Sequence, residues 1–169
     1  MKILGISAYY HDSAACILSD GIILTAVQEE RFTRVKHDKS FPINAIMHCL
    51  NSHKLTINEI DYIAFYDNWL LKKKRNIDNA LIQGPSASEN FFNSIYNQIN
   101  ENELINKIKR IFNWGSEDIQ NKLHYVQHHY SHAASAFYCS PFAESTVITV
   151  DGVGEYSTTT IGYGKNEKL

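Results

Sequence analysis

His128, His129 and His132 fall within one short stretch, and Asp151-Gly152-Val153-Gly154 follows them. On an α-helix, residues i and i+4 lie about 40° apart around the axis, so His128 and His132 project from one face and can share an ion. His129 and His132, at i and i+3, also lie close, and spacing alone leaves that pair open. The run Glu144-Ser145-Thr146-Val147-Ile148-Thr149-Val150 is β-branched and apolar. It reads as a buried strand that delivers Asp151 at its C-terminal end, where open α/β sheets bind ligands. Two imidazoles and a hard carboxylate suit Fe(II), with Mn(II) and Zn(II) as alternatives, and leave coordination positions for a ligand. Taken separately, the histidines describe a polar helix face and Asp-Gly a common turn. Their combination points to a metal site.

The elements that must position these residues begin at the N-terminus. Lys2-Ile3-Leu4-Gly5-Ile6-Ser7 reads as a strand, Tyr9 to Ser13 as a polar loop and Ala14 to Leu18 as a returning strand. Asp20-Gly21 then turns tightly into Ile22-Ile23-Leu24-Thr25-Ala26-Val27. Two hairpins before the first helix resemble the start of the ribonuclease-H-like domains of the actin, sugar kinase and Hsp70 superfamily. The resemblance implies an α/β N-terminal lobe with a mixed sheet flanked by helices. Strands are expected near 2–7, 14–19, 22–28, 61–66, 146–151 and 158–163, and helices over 41–53, 89–112 and 128–139. In that fold two loops approach nucleotide phosphates from opposite sides of one cleft. The matching segments are His11 to Ser13 and Asp151 to Gly154, where glycines let backbone N–H groups reach phosphate oxygens.

Gln28-Glu29-Glu30-Arg31-Phe32-Thr33-Arg34-Val35-Lys36-His37 is a run of alternating charge, a pattern that usually marks a solvated edge. Four stretches together carry a more specific likeness: His11-Asp12-Ser13-Ala14-Ala15; Glu29-Glu30-Arg31-Phe32-Thr33-Arg34-x-Lys36-His37; Gln127-His128-His129-x-x-His132-Ala133-Ala134-Ser135-Ala136; and Val150-Asp151-Gly152-x-Gly154-Glu155. Their order and spacing resemble the N-terminal region of NodU/CmcH-type O-carbamoyltransferases, over residues 1–67 and 122–164. The resemblance implies that carbamoyl phosphate and ATP yield carbamoyl-adenylate in a C-terminal domain, and that the N-terminal domain transfers the carbamoyl group to the hydroxyl of a small-molecule acceptor. His128, His132 and Asp151 occupy the family's metal-ligand positions, with a further ligand due from a second lobe. The metal would hold the adenylate phosphate as a Lewis acid. His11 falls on the active-site histidine and would act as general base. Asp12, Ser13, Lys36, His37, Gly152 and Gly154 fall on substrate- or phosphate-binding positions, with Lys36 neutralising anionic oxygen.

Two other readings stand beside this one. The tRNA threonylcarbamoyl transferase shares the His-x-x-x-His helix and the fold, though the 11–15 loop and the 29–37 run favour the O-carbamoyltransferase. A non-catalytic metal- or nucleotide-binding lobe, left by a split or decayed gene, is the other.

Residues 68–121 match less well and read as a helical insertion. It contains the basic cluster Lys72 to Arg75, a capping-box pattern at Ser86-x-x-Glu89 and apolar residues at helical spacing up to Phe112. With 169 residues, 44% hydrophobic and a net charge of −2, the chain has the profile of one globular domain. It has no basic surface suited to nucleic acid and no apolar run of about 18 residues or signal peptide, so it reads as cytoplasmic with no membrane partner. Cys16, Cys49 and Cys139 sit among apolar residues and read as buried thiols. The length accommodates neither a second lobe nor an adenylate-forming domain. The chain therefore reads as an N-terminal fragment, a truncation or a split-gene product, inactive alone and completed in cis or in trans.

Overall fold

Alternation of apolar residues sets the first sheet. β1 (Lys2–Ser7) turns Leu4 and Ile6 inward, and β2 (Ala14–Ser19) turns Ala15 and Ile17 to the same side. The two strands are antiparallel, with Leu4 opposite Ile17. Asp20 and Gly21, at φ 51° and 82°, make the tight turn into β3 (Ile22–Gln28), a backbone that twists with the strands it joins. β4 (Tyr62–Phe65) pairs parallel with β1, and β5 (Leu123–Tyr125) pairs parallel with β4. The order is β3-β2-β1-β4-β5, a mixed sheet.

In this computed structural model residues 1–84 and 101–169 are described. They fall into two units, Met1–Tyr66 with Ile99–Tyr125, and Asp67–Gln98 with Val126–Leu169.

In the first unit, α2 (Ile43–Ser52) lays Ala45, Ile46, Cys49 and Leu50 on the sheet, a stripe at helical spacing. Leu104, Ile108 and Phe112 from α4 (Glu101–Phe112) and Ile119 from α5 (Ser116–Lys122) complete the same core. Glu29 opens the charged run, and α1 (Glu30–Thr33) follows it. Its carboxylate is only 1% exposed. It accepts hydrogen bonds from the backbone of Asn44 (3.2 Å) and Ala45 (2.8 Å) and from the Asn44 side chain (2.7 Å). The N-cap of α2 is Pro42, which offers no side-chain oxygen, so Glu29 supplies the cap. The charged run is thus not a solvated edge throughout.

The second unit contains α3 (Trp69–Gln83), α6 (His128–Tyr138) and the hairpin of β6 (Glu144–Val150) and β7 (Thr159–Lys165). α3 starts where the Asn68 side chain accepts from Leu71 N–H at 3.2 Å. Phe137 on α6 packs so closely on β7 that a Cβ at Gly164 would sit 2.5 Å from its ring. The buried apolar cluster here is Ala133, Phe137 and Val147 with Leu169 against it.

Two expectations change, and one reaches beyond the described residues. β6 and β7 pair with each other in a separate two-stranded sheet, not in one six-stranded sheet, and β5 takes the fifth place in the first. β5 has three residues, too few to show an alternation. Second, α3 is a helix in its own right, and the Ser86/Glu89 pattern with the apolar residues from Phe91 to Ile99 lies outside the described residues. Third, Cys139 is exposed at the end of α6, Cys16 is half-buried and only Cys49 is buried. Among the described residues no helix is long and apolar enough to cross a membrane.

Candidate metal centre

α6 begins at His128 because the chain is extended at Gln127 and the Glu155 carboxylate receives the first N–H. Glu155 accepts His128 N–H at 2.9 and 3.0 Å, and Oε1 also accepts Asn68 N–H at 2.9 Å. One buried carboxylate thus ties the starts of α6 and α3 to the turn after β6. Asp151 ends β6. Its Oδ1 accepts the N–H of Gly152 at 2.6 Å, which fixes the carboxylate plane and aims Oδ2 at the helix.

Three donor atoms converge there. His128 Nε2 lies 2.6 Å and His132 Nε2 3.2 Å from Asp151 Oδ2, and the two nitrogens are 3.0 Å apart. Donors about 2.1 Å from one ion and at right angles would stand about 3.0 Å from one another. Three lone pairs aimed at one point repel unless a proton or a cation lies between them, so the donor set fits a divalent transition metal. The His128 side chain is 10% exposed, whereas those of His132 and Asp151 are 51% and 36% exposed. One side is therefore open to a ligand. The His128 imidazole, followed by the Gly152 amide, holds the Asp151 carboxyl down to about 2, ionised at every pH at which imidazole can ligate.

His129 points elsewhere. Its Nε2 donates to Ser157 C=O at 2.6 Å, and its Nδ1 accepts from Thr149 Oγ1 at 2.6 Å, which in turn lies 2.6 Å from Thr160 Oγ1. Both nitrogens are spent, so the i, i+3 pair left open by spacing is closed by hydrogen bonding. The same ring explains Gly154: a Cβ there would come 2.7 Å from His129 Cδ2. Gly152 has nothing within 4 Å of such a Cβ. Close packing thus demands glycine at 154, whereas nothing near 152 does.

Asp67 was not singled out from sequence. It is buried, pairs with Lys72, and puts Oδ1 3.9 Å from His128 Nδ1. Burial pushes its carboxyl pKa up, with Lys72 opposing. At 3.9 Å Asp67 Oδ1 and His128 Nδ1 are not hydrogen-bonded, and Asp67 acts on the His128 ring through its charge alone. The available signal was its position just past the C-terminal end of β4. Of the basic cluster, Lys72 is taken by Asp67 and Arg75 donates to Gly154 C=O.

In the first unit, His11, Asp12 and His37 meet, with Asp12 between the two rings. Asp12, Glu30 and His37 form a second group whose potential donor atoms lie within 4.8 Å of one another. Lys36 is exposed beside them. Ser13 is fully buried; its N–H donates to Asp38 C=O and its C=O accepts from Glu29 N–H, each at 2.8 Å.

Comparison with known proteins gives a consistent picture. A family model described as carbamoyltransferase N-terminus matches residues 2–169. Uncharacterized protein sll1178 of Synechocystis is 42% identical over 171 residues, which cover 99% of this chain and 28% of that protein. Nodulation protein NolNO of Sinorhizobium fredii is 28% identical over 163 residues, 96% of this chain and 22% of that protein. Uncharacterized protein MJ1051 of Methanocaldococcus jannaschii is 30% identical over 153 residues, 90% of this chain and 22% of that protein. The chain thus spans about a quarter of the length of these relatives.

Proposed function

The chain belongs to the carbamoyltransferase N-terminus family, and on that premise we propose that it is the N-terminal part of an O-carbamoyltransferase acting on carbamoyl-adenylate and an acceptor hydroxyl. The observation that carries this reading is the convergence of His128 Nε2, His132 Nε2 and Asp151 Oδ2 on one point. These residues would hold Fe(II), or Mn(II) or Zn(II) in its place, which when bound supplies Lewis acidity at the adenylate phosphate.

The chain's own residues do the remaining work. Glu155 fixes the first turn of α6, Asp67 sets negative charge behind the His128 ring, and the Gly152 amide keeps one Asp151 oxygen turned inward. His11, in the first unit, takes the proton of the acceptor hydroxyl, and Lys36 offsets negative charge on phosphate or carbamoyl oxygen. Ser13, shielded from solvent, serves by holding the Asp12 loop against Asp38. The antiparallel β1–β2–β3 meander followed by parallel β4 and β5 supports assigning the first unit to the ribonuclease-H-like fold. A second lobe and an adenylate-forming domain would complete the enzyme, in the same protein or in a partner.

Metal content and AMP binding test the reading, since AMP carries the phosphate of the adenylate. The purified protein should take up close to one equivalent of Fe(II) or Mn(II), and AMP should bind the loaded form more tightly than the stripped form. His132→Ala should lose both effects. Full metal content in that variant would remove the assignment.

A further inference from the structure

Both carboxylate oxygens of Asp12 are engaged by imidazoles. Oδ2 lies 2.8 Å from His11 Nδ1, and Oδ1 lies 2.9 Å from His37 Nδ1. An ionised carboxylate only accepts hydrogen bonds, so each neutral ring must carry its proton on Nδ1. Each Nε2 then keeps its lone pair.

The loops are built to hold this arrangement. Asp12 and His37 sit at φ 50° and 56°, in the left-handed region, which costs about 1 kcal/mol per residue and persists only where neighbours enforce it. Glu30 Oε2 accepts the backbone N–H of His37 at 3.0 Å. The Tyr10 ring lies 4.7 Å from that of His11. Tyr9 N–H donates to Lys39 C=O, and Ser13 N–H to Asp38 C=O, each at 2.8 Å, so the two loops are tied on both sides of Asp12. Hydrogen bonds from His37 first and His11 second hold the Asp12 carboxyl below the usual carboxylate range. It is an anion throughout the neutral range.

We propose that Asp12 is a positioning residue that presents His11 and His37 together as a pair of Nε2 proton acceptors for the carbamoyl-accepting hydroxyl. The role rests on the transferase reading above. As the hydroxyl oxygen bonds to the carbamoyl carbon, its proton passes to one Nε2. The adenylate oxygen departs with the electrons of the broken C–O bond. The imidazolium so formed keeps its Nδ1–H on the Asp12 carboxylate, which offsets the new charge. Sharing one carboxylate between two rings makes His37 a second base and not a mere neighbour of the first.

Tautomers can be read directly by NMR of the ¹⁵N-histidine-labelled protein at about pH 9, where imidazole is neutral. His11 and His37 should both show Nδ1–H, whereas His129, bound to a carbonyl through Nε2, supplies an Nε2–H control within the same spectrum. An amide in place of the carboxylate accepts at its oxygen but donates at its nitrogen. In Asp12→Asn one of the two rings must therefore reverse its tautomer, with His129 unchanged. Carbamoyl transfer by the complete enzyme should fall about 10- to 100-fold in kcat in that variant, with the KM values for carbamoyl phosphate and ATP unchanged. Nε2–H signals from both rings in an active enzyme would overturn the positioning role alone. So would loss of a second bound metal equivalent in Asp12→Asn, which would assign Asp12, Glu30 and His37 to an ion. A complete enzyme, second lobe and adenylate-forming domain included, that shows both Nδ1–H signals but no carbamoyl transfer would overturn the transferase reading and the catalytic role with it.

Discussion

Glu155 receives the backbone N–H of His128 on both of its carboxylate oxygens, at 2.9 and 3.0 Å. The residue that offers a metal donor is therefore also the anchored first residue of its helix. Glu155→Ala leaves the His128 and Asn68 N–H groups without this acceptor. Loss of buried hydrogen bonds to a charged group should cost about 2–3 kcal/mol of stability and, by loosening His128, about 10- to 100-fold in metal affinity. Denaturant unfolding and metal titration of the same variant measure the two effects. Unchanged metal affinity would show that α6 starts correctly without the carboxylate.

His129 and His132 should separate cleanly. His129→Ala empties a hydrogen-bonded position between Thr149 and Ser157 and should destabilise by about 2–3 kcal/mol while retaining metal stoichiometry. His132→Ala, at an exposed position, should leave the midpoint of unfolding nearly unchanged and lose metal. Calorimetry paired with metal analysis decides it, and the reverse pattern would exchange the two roles.

The two glycines of the Asp151 turn give a paired test. Gly154→Ala drives a methyl group into the His129 ring and should cost about 1–3 kcal/mol, as overpacking does. Gly152→Ala meets open space and should stay within about 0.5 kcal/mol of the parent. Equal losses in thermal unfolding would mean that the turn, not the ring, demands glycine.

The cysteines should differ in reactivity. Burial pushes the Cys49 thiol up to about 11, so at pH 8 about one molecule in a thousand carries the thiolate there. The pKa is raised, so the thiolate fraction grows about tenfold per pH unit until pH passes 11. Mass-resolved alkylation with iodoacetamide should label exposed Cys139 first and Cys49 last, the gap narrowing as pH rises. Early labelling of Cys49 in the folded protein would show that α2 opens readily.

Much of this was legible in the sequence because it rests on short periods. The strands β1 and β2 follow from period-two alternation, β3 from its apolar run after the Asp20-Gly21 turn, and His128 with His132 from helical spacing. What stayed hidden depends on partners distant in sequence. Asp67 lies 61 residues before His128, 3.9 Å from its Nδ1, and only its place just past β4 marks it in the sequence. Glu29 reads as one charge in a charged run until α2 is seen to lack a capping side chain. His129 could be released from the metal role only by Thr149 and Ser157, residues on either side of the Asp151 turn in the hairpin it packs against.

The contact between Phe137 and position 164 imposes an order on how this protein can change. Any side chain at 164 would collide with a ring fixed on α6, so glycine there is conditional on the aromatic residue opposite. A lineage that shrinks residue 137 first opens room at 164 and leaves both positions free to vary. One that begins at 164 meets a clash in a unit whose described apolar core is only a few residues deep. Related sequences should therefore show glycine at 164 wherever 137 is aromatic, and variation at 164 only after 137 has become small.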